Sequence, residues 1–299
     1  MSFASLCKNE IISQKFNKDQ LYEVALGMLD STKIIERELH FQTTNLEVAS
    51  FFEQRMNELS LSYQKIETKT NLHLEYLYIF SEEETDRILA MTENNQISGN
   101  ESKYLSYLAG MFISKGSVND PKTTKYHLEI AIYRSKKATF ALSLINSHPF
   151  EFNVKIAKRK GKYIIYIKDA EKIVDVLRLL GANNNAFSFE DIRIERDFSN
   201  SINRLLNCEI ANEKKALEAA REQLRYIKYL EYNYPLEKID QKTLIVMKVR
   251  KDNPEATFLE LITIMKERFN LNLSKPGLSH RFAKIKQLAT DDYNKKREK

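Results

Sequence analysis

The sequence predicts an α+β fold in two parts: a duplicated αββαββα domain, followed by a domain built only of helices. The first observation is that residues 20–91 and 103–180 carry the same order of helical and strand patterns, at an offset of roughly 85 to 90 residues. The second is that, after residue 240, apolar residues recur mainly at the spacings of three and four that are typical of helices. The length of 299 residues also fits about two domains.

The composition excludes several classes of protein. Apolar residues make up 42% of the chain and charged residues 29%, which indicates a folded chain rather than a disordered or collagen-like one. None of the 7 glycines lies in a dinucleotide or P-loop phosphate motif, and Cys7 and Cys208 are too few for a disulfide framework or a cysteine zinc site. No apolar stretch has the length of a membrane span or the position of a signal segment. We therefore expect a cytoplasmic protein with no membrane, cofactor, metal or small-molecule substrate.

The two copies of the α+β unit can be followed element by element. In the first copy we expect a helix at 21–29, strands at 32–35 and 38–43, a helix at 45–59, strands at 62–68 and 72–80, and a helix from Ser81. In the second we expect a helix at 104–115, a strand at 126–133, a helix at 135–147, strands at 153–158 and 163–168 around the turn 159–162, and a helix at 169–180. Because apolar residues alternate along the strands, as at Ile165 and Ile167, each sheet should bury one face under helices.

A helical connection is predicted between the two domains. Residues 211–230 have the pattern of a helix whose apolar face contains Ala216, Ala220, Leu224 and Ile227. A cluster of Asn and Arg over residues 193–212 has two interpretations that the sequence leaves open. It contacts DNA or couples the domains, or its side chains serve for capping and interdomain packing. The expected domain ranges are 1–195, a linker at 196–236, and 237–299.

The positive charge of the chain is concentrated at its C-terminal end. Residues 241–299 contain 14 Lys and Arg against 7 Asp and Glu, whereas residues 1–240 contain 33 against 34. Such an asymmetry is typical of a small module that binds phosphates while the rest of the chain does something else. A solvated basic tail is the alternative, since four of these cations lie in the last five residues.

Two predicted helices near the C-terminus are joined by a short turn. Thr257 to Glu260 form a capping box that starts the first helix, whose apolar face contains Phe258, Leu261, Ile262, Met265 and Phe269. Ser274 offers the N-cap of the second, which buries Leu278, Phe282, Ile285 and Leu288. A third helix is favoured over a strand at 243–250. The layout is that of a helix-turn-helix whose second helix enters the DNA major groove; a charged three-helix bundle is the alternative.

The predicted second helix of this motif supplies most of the candidate DNA contacts. These candidates are Lys275, Ser279, His280, Arg281 and Lys284 on the helix, with Thr257 and Ser274 at the two helix N-termini. Residues near the N-terminal half of such a helix usually reach base edges, and Arg281 suits a bidentate contact to guanine. Lys275 and Lys284 are expected to meet phosphates, as are the backbone amides at the helix N-termini.

The second copy of the α+β unit contains a distinctive motif. Residues 108–116 read Leu-Ala-Gly-Met-Phe-Ile-Ser-Lys-Gly, and residues 21–30 are a more degenerate version. The motif resembles the helix motif of the LAGLIDADG homing endonucleases. In that fold two such helices, one from each αββαββα half, pack closely through small residues, which Ala109 and Gly110 would permit. The motif closes with Gly116.

The position before the last glycine of the motif supplies an acidic magnesium ligand in active LAGLIDADG nucleases. In this chain the second copy has Lys115 there, and the first has Leu29, or Asp30 in a register shifted by one. A lysine repels the cation that it would have to bind, so the acidic clamp for two-metal hydrolysis is missing. The resemblance therefore implies a fold without the nuclease activity.

Strings in unrelated parts of the chain extend the resemblance to one bacterial family. They include Met1-Ser2-Phe3, Asn200-Ser201-Ile202-Asn203-Arg204, Asn253-Pro254-Glu255-Ala256 and Ser279-His280-Arg281. The chain resembles the WhiA family, in which a degenerate LAGLIDADG domain precedes a helix-turn-helix. The family implies a DNA-binding regulator of transcription, active in cell division and chromosome segregation, with double-stranded DNA and other transcription regulators as partners. One departure, Lys275-Pro276-Gly277, leaves open where the second helix begins.

The sequence thus predicts a sequence-specific DNA-binding regulator that is not an enzyme. Two other classes remain. A LAGLIDADG nuclease with a DNA-targeting appendage is disfavoured by the missing acids. A nucleoid-associated DNA binder of low sequence specificity is harder to exclude, because phosphate contacts alone explain the basic C-terminal region.

Overall fold

The computed structural model describes residues 1–69, 74–93, 97, 100–123 and 125–297. The chain divides into two compact units, Met1–Phe198 and Ser199–Lys299. The first is the α+β unit and the second is helical, so the predicted fold class is confirmed.

The first unit contains the same order of elements twice. A helix that the sequence did not predict, α1 (Phe3–Ile12), precedes both copies. The first copy consists of α2 (Lys18–Asp30), β1 (Lys33–Ile35), β2 (Glu38–Thr43), α3 (Leu46–Glu58), β3 (Gln64–Lys69), β4 (Leu74–Phe80) and α4 (Glu82–Glu93). The second consists of α5 (Glu101–Lys115), β5 (Gly116–Val118), β6 (Leu128–Ile132), α6 (Ser135–Asn146), β7 (Lys155–Arg159), β8 (Lys162–Ile167) and α7 (Ala170–Leu180). The predicted start of the fourth strand at residue 72 lies outside the described residues.

Each copy forms one antiparallel sheet of four strands with the same topology. The strand orders are β1-β2-β4-β3 and β5-β6-β8-β7. In the first sheet Phe41 lies opposite Tyr78, and in the second Ile130 lies opposite Ile165. All four side chains are buried, as the predicted alternation requires, because successive strand residues point to opposite faces.

The hairpin between β7 and β8 is tighter than predicted. Arg159 and Lys162, which the sequence assigned to the turn, are paired across the strands, and only Lys160 and Gly161 remain in the loop. Both have positive φ, 46° and 77°. Two-residue hairpin loops need this geometry to match the twist of the strands, and a glycine supplies it without strain.

Helices α2 and α5 cross in backbone contact at the centre of the first unit. A Cβ atom on Gly27 would lie 2.0 Å from the carbonyl oxygen of Tyr107, and one on Gly110 would lie 2.0 Å from that of Val24. Glycine is therefore required at both positions, because any side chain would separate the helices. The small residue predicted to permit close packing at Gly110 does so.

Helix α8 (Asn183–Asn233) is much longer than the predicted helix at 211–230, so that prediction was wrong about its start. The segment before residue 211 is rich in Asn and Ser, which have weak helix propensity, so its sequence did not predict a helix. No Gly or Pro interrupts the segment, and Gly181 and Pro235 lie outside its two ends. The N-terminus is capped from α1, since the Glu10 carboxylate accepts hydrogen bonds from the backbone amides of Asn184 (2.6 Å) and Asn185 (3.0 Å).

The second unit packs three further helices against the last turns of α8. They are α9 (Gln241–Asp252), α10 (Phe258–Phe269) and α11 (Lys275–Arg297), and the segment 243–250 is helical as favoured. Their core contains Val246, Met247, Leu261, Met265, Leu278, Phe282 and Ile285 together with Ile227 and Leu230 of α8. The apolar positions predicted for α10 and α11 all lie in or against this core.

Candidate DNA-binding interface

Helix α10 begins at the predicted capping box. The Thr257 hydroxyl accepts a hydrogen bond from the Glu260 backbone amide at 3.3 Å, and the Thr257 amide donates to the Glu260 carboxylate at 2.6 Å. The hydroxyl and the backbone amide of Thr257 thus both form hydrogen bonds within the cap. Any amide contact to DNA at this helix end would come from Phe258 and Leu259, whose backbone amides are not part of that exchange.

The turn between α10 and α11 is short and defined. Asn270 adopts the left-handed conformation (φ 49°) and the Leu271 amide donates to the Met265 carbonyl at 3.1 Å. This arrangement ends a helix by satisfying one of its last carbonyls. Five residues, 270–274, separate the two helices, close to the predicted four.

The start of α11, which the sequence left open, is at Lys275. The Ser274 hydroxyl accepts a hydrogen bond from the Gly277 amide at 3.2 Å, which is the geometry of an N-cap. Pro276 falls in the first turn, where the missing N–H would have no partner in the helix. The two helix-disfavouring residues therefore do not displace the helix start.

Three of the predicted contact residues lie on the open face of α11. Lys275, Ser279 and His280 are exposed, whereas Leu278 of the same turns is fully buried. The helix thus presents an ammonium, a hydroxyl and an imidazole from its N-terminal half. These groups can form hydrogen bonds with base edges or phosphates.

The other two predicted contact residues of α11, Arg281 and Lys284, are bound to an acid that the sequence did not single out. Arg281 Nη1 lies 2.8 Å from Asp240 Oδ1, and Lys284 Nζ lies 2.6 Å from Asp240 Oδ2. The Lys284 ammonium, with hydrogen bonds from Thr243, holds the pKa of the Asp240 carboxyl well below its usual range. Asp240 stands directly before α9, so the sequence could have identified it as an N-cap but not as a partner of α11.

The Asn and Arg cluster at 193–212 lies on α8. Arg193 is 3.7 Å from Glu171 and 3.6 Å from Asp197, and Arg196 Nη1 donates to the Pro121 carbonyl at 3.2 Å. They are ion pairs and a hydrogen bond within the first unit, not helix caps. From residue 197 to residue 216 every side chain is exposed, and a role in DNA contact or domain coupling stays a prediction.

The glycine contacts fix the register of the two motif helices in the first unit. The same offset relates Val24 to Tyr107 and Gly27 to Gly110, so Lys115 corresponds to Thr32. Placing Leu29 or Asp30 at that position was therefore wrong, because the close backbone approach of the helices gives an alignment that the degenerate first motif had left uncertain. Neither copy has a carboxylate at the position of the nuclease metal ligand.

Asp30 has a different set of partners. It is buried, accepts a hydrogen bond from the Tyr107 hydroxyl at 2.7 Å, and lies 2.9 Å from the Lys137 ammonium. Arg134 also contacts its carboxylate. Burial, together with the charge of Asp30, raises the pKa of the Tyr107 hydroxyl. The carboxylate is thus neutralised by protein cations inside the unit and is not free to bind a metal ion.

Lys115 is half-buried at the end of α5. Its ammonium donates to the Gln42 carbonyl at 3.2 Å and lies 5.5 Å from the centre of the Phe41 ring. Burial, and secondarily the charge of Lys162, lowers the pKa of Lys115 to about 8. Burial and the charge of Lys115 likewise lower the pKa of Lys8 to about 8. This end of the motif helices is a site of positive charge.

These residues do not fit the magnesium site that the LAGLIDADG fold implies. A magnesium ion is held by carboxylate oxygens, and the two corresponding positions offer a hydroxyl and an ammonium group. Within the described ranges no group of three or more His, Cys, Asp or Glu is placed to hold a metal ion. Nor does any described helix have the length and apolar character needed to cross a membrane.

Comparison with known proteins identifies the family. The model for the WhiA LAGLIDADG-like domain matches residues 104–199, and the model for the WhiA C-terminal HTH domain matches residues 202–289. A probable cell division protein WhiA from Enterococcus faecalis is 33% identical over 312 residues, covering 97% of each chain. The chain belongs to the WhiA family. A relative of the same name from Bacillus subtilis is 40% identical over 185 residues, covering 62% of this chain and 57% of its own.

Solved WhiA structures share the fold. Full-length WhiA from Thermotoga maritima matches with a TM-score of 0.58 at 21% identity, covering 97% of this chain and 99% of its own. The N-terminal LAGLIDADG domain of a WhiA protein matches with a TM-score of 0.50 at 20% identity, covering 60% and 92%. The predicted family and architecture are therefore confirmed.

Proposed function

We propose that the protein is a sequence-specific DNA-binding regulator of transcription that acts in cell division and chromosome segregation and is not a nuclease. The observation that carries the proposal is the open N-terminal half of α11, with Lys275, Ser279 and His280 exposed on the second helix of a helix-turn-helix. Membership of a family whose relatives are named cell division proteins supports the cellular role. Acting on chromosomal DNA, the protein would work at the nucleoid in the cytoplasm.

The proposed division of labour assigns DNA reading to residues 237–299. In a helix-turn-helix the first turns of the second helix meet base edges, while flanking cations and helix N-termini meet phosphates. Ser279 and His280 are accordingly assigned to bases, and Lys275 and the helix start at Ser274 to phosphates. Arg281 and Lys284 are additional candidates, although Asp240 binds both of them in the DNA-free protein.

The absence of nuclease activity is proposed from the positions of Thr32 and Lys115. Two-metal hydrolysis needs carboxylates that neutralise and orient two cations beside the scissile phosphate. A hydroxyl group carries no negative charge and an ammonium group repels cations, so neither replaces those carboxylates. The first unit would then keep the nuclease fold without the nuclease activity. Its proposed partners are other transcription regulators.

The proposal is tested by the affinity of the full-length protein for duplex DNA over a range of NaCl concentrations, with non-specific competitor DNA and magnesium present. Specific binders exceed their own non-specific affinity by about 10³-fold or more, whereas phosphate binding alone gives a steep salt dependence without discrimination. We expect the protein to bind some duplex sequences much more tightly than the competitor DNA, and we expect the DNA to remain uncut on a denaturing gel. Equal affinity for all duplexes would instead indicate a nucleoid-type binder, and cut DNA would indicate a nuclease.

A further inference from the structure

Asp240 connects the start of α9 with the exposed part of α11. Its carboxylate accepts hydrogen bonds from the Thr243 backbone amide at 3.1 Å and from the Thr243 hydroxyl at 2.9 Å, which caps α9. The same carboxylate binds Arg281 at 2.8 Å and Lys284 at 2.6 Å. One side chain therefore binds two cations of α11.

Asp240 engages only one nitrogen of the Arg281 guanidinium. Nη1 donates to Asp240 and also to the Thr243 hydroxyl, at 3.1 Å. In the part of the chain that the structure describes, Nε and Nη2 of Arg281 form no hydrogen bond, and the side chain keeps 24% of its accessible surface. The guanidinium is planar, so fixing Nη1 also fixes the direction of the free Nε–Nη2 edge.

The free edge has the geometry of a recognition group. Two parallel N–H groups of an arginine match the O6 and N7 acceptors of guanine, and they also match two phosphate oxygens. A guanidinium with no fixed orientation can bind any nearby phosphate, which adds affinity without discrimination. An arginine held in one direction can meet a base only where the sequence places a guanine.

We propose that Asp240 is a positioning residue that makes Arg281 discriminate between DNA sequences. The inference rests on the proposed DNA-binding function and names a residue on which its specificity depends. Asp240 also occupies Lys284, and by doing so withholds one cation from non-specific phosphate contact. Removing the carboxylate charge should therefore weaken discrimination and strengthen non-specific binding at the same time. A residue with a merely structural role would lower both affinities together.

The test is Asp240→Asn in the full-length protein. Asparagine caps helices about as well as aspartate, so α9 should keep its start. Dissociation constants are measured by fluorescence anisotropy for the duplex that the wild type prefers and for a scrambled duplex, over a range of NaCl concentrations. We expect the dissociation constant for the scrambled duplex, divided by that for the preferred duplex, to fall about tenfold, as for loss of one bidentate base contact. Binding to the scrambled duplex should tighten, with a salt slope steeper by about 0.9 for one added phosphate contact.

A matched control separates loss of an acid from loss of positioning. Glu222 of α8 pairs with Lys286 of α11 at 3.2 Å, so Glu222→Gln also frees a lysine of this helix but leaves Arg281 untouched. The control should keep the wild-type ratio. Arg281→Lys keeps the charge but loses the fork, and should reproduce the fall in the ratio. Combining it with Asp240→Asn should add little, because both variants remove the same contact.

The outcomes distinguish this inference from the proposed function. If the wild type discriminates and Asp240→Asn discriminates equally, the positioning role is overturned while the proposed function stands. If the wild type itself does not discriminate, the proposed function fails and the inference fails with it. If Asp240→Asn does not fold, Arg281→Lys decides: an unchanged ratio overturns the inference, and a tenfold fall supports it.

Discussion

Replacing Gly110 by alanine tests the backbone contact between α2 and α5 on which the first unit is built. The new Cβ atom would lie 2.0 Å from the carbonyl oxygen of Val24 and 2.8 Å from its carbonyl carbon. Even weakly attractive carbon–oxygen contacts have lengths of about 3.3 Å or more, so the two helices must separate by about 1 Å. The obstructing atoms belong to the backbone of α2 and cannot turn away as a side chain would.

The magnitude follows from two opposing terms. Overpacking a core costs about 1 to 3 kcal/mol, and a clash between two helix backbones belongs at the upper end of that range. Alanine in place of a mid-helix glycine returns about 1 kcal/mol through helix propensity. We therefore expect Gly110→Ala to lower the free energy of unfolding by about 2 kcal/mol.

The assay is urea unfolding of the full-length protein, followed by far-ultraviolet circular dichroism. Gly27→Ala should lose a similar amount, because its Cβ would lie 2.0 Å from the Tyr107 carbonyl oxygen. Ser143→Ala, on the exposed face of α6, is the control and should stay within about 0.5 kcal/mol of the wild type. If Gly110→Ala is as stable as this control, the close packing of the motif helices is refuted.

Four further predictions follow from the charged groups. Arg281→Ala should relax sequence preference, whereas Lys284→Ala should leave that preference unchanged, because Asp240 holds the Lys284 ammonium away from DNA; equal effects on sequence preference in a binding assay would contradict this assignment. Asp30→Ala should cost about 3 to 5 kcal/mol in urea unfolding, because it removes the buried carboxylate that pairs with the partly buried cations Arg134 and Lys137. Asp240 has a pKa below its ordinary value of 3.8, so its stabilisation is complete above about pH 4 and is lost as the pH falls further. The stability difference from Asp240→Asn should shrink accordingly on acidification, and a constant difference would count against it. Lys115→Asp should not create DNA cleavage with magnesium, since Thr32 still lacks a carboxylate.

Local patterns in the sequence were sufficient for most elements. The capping box at Thr257 and the alternation along β2, β4, β6 and β8 depend on residues within one turn or one strand, which a single sequence displays directly. The N-cap predicted at Ser274 is also present, although Pro276 and Gly277 follow it, because proline is tolerated in the first turn of a helix.

Features set by distant contacts could not be predicted from the sequence. The register of α2 against α5 depends on which carbonyl each glycine approaches, and the degenerate first motif gave the wrong alignment. Helix α8 begins at residue 183 with help from Glu10, which is remote in sequence. The ion pairs of Asp240 with Arg281 and Lys284 also join residues about forty positions apart. Their partners become visible only when α9 and α11 are packed together.

The most direct test of the central claim is selection of DNA by the full-length protein from a random duplex pool. The selection is run at physiological salt with magnesium, and the bound DNA is sequenced and checked for cuts. The wild type should enrich one motif and leave the DNA intact. A Ser279→Ala, His280→Ala variant should lose that motif, while Gln287→Ala, which is exposed farther along α11, should retain it. The claim that α11 reads DNA without cleavage would be contradicted by cut DNA, by no enriched motif, or by the same motif in the double variant.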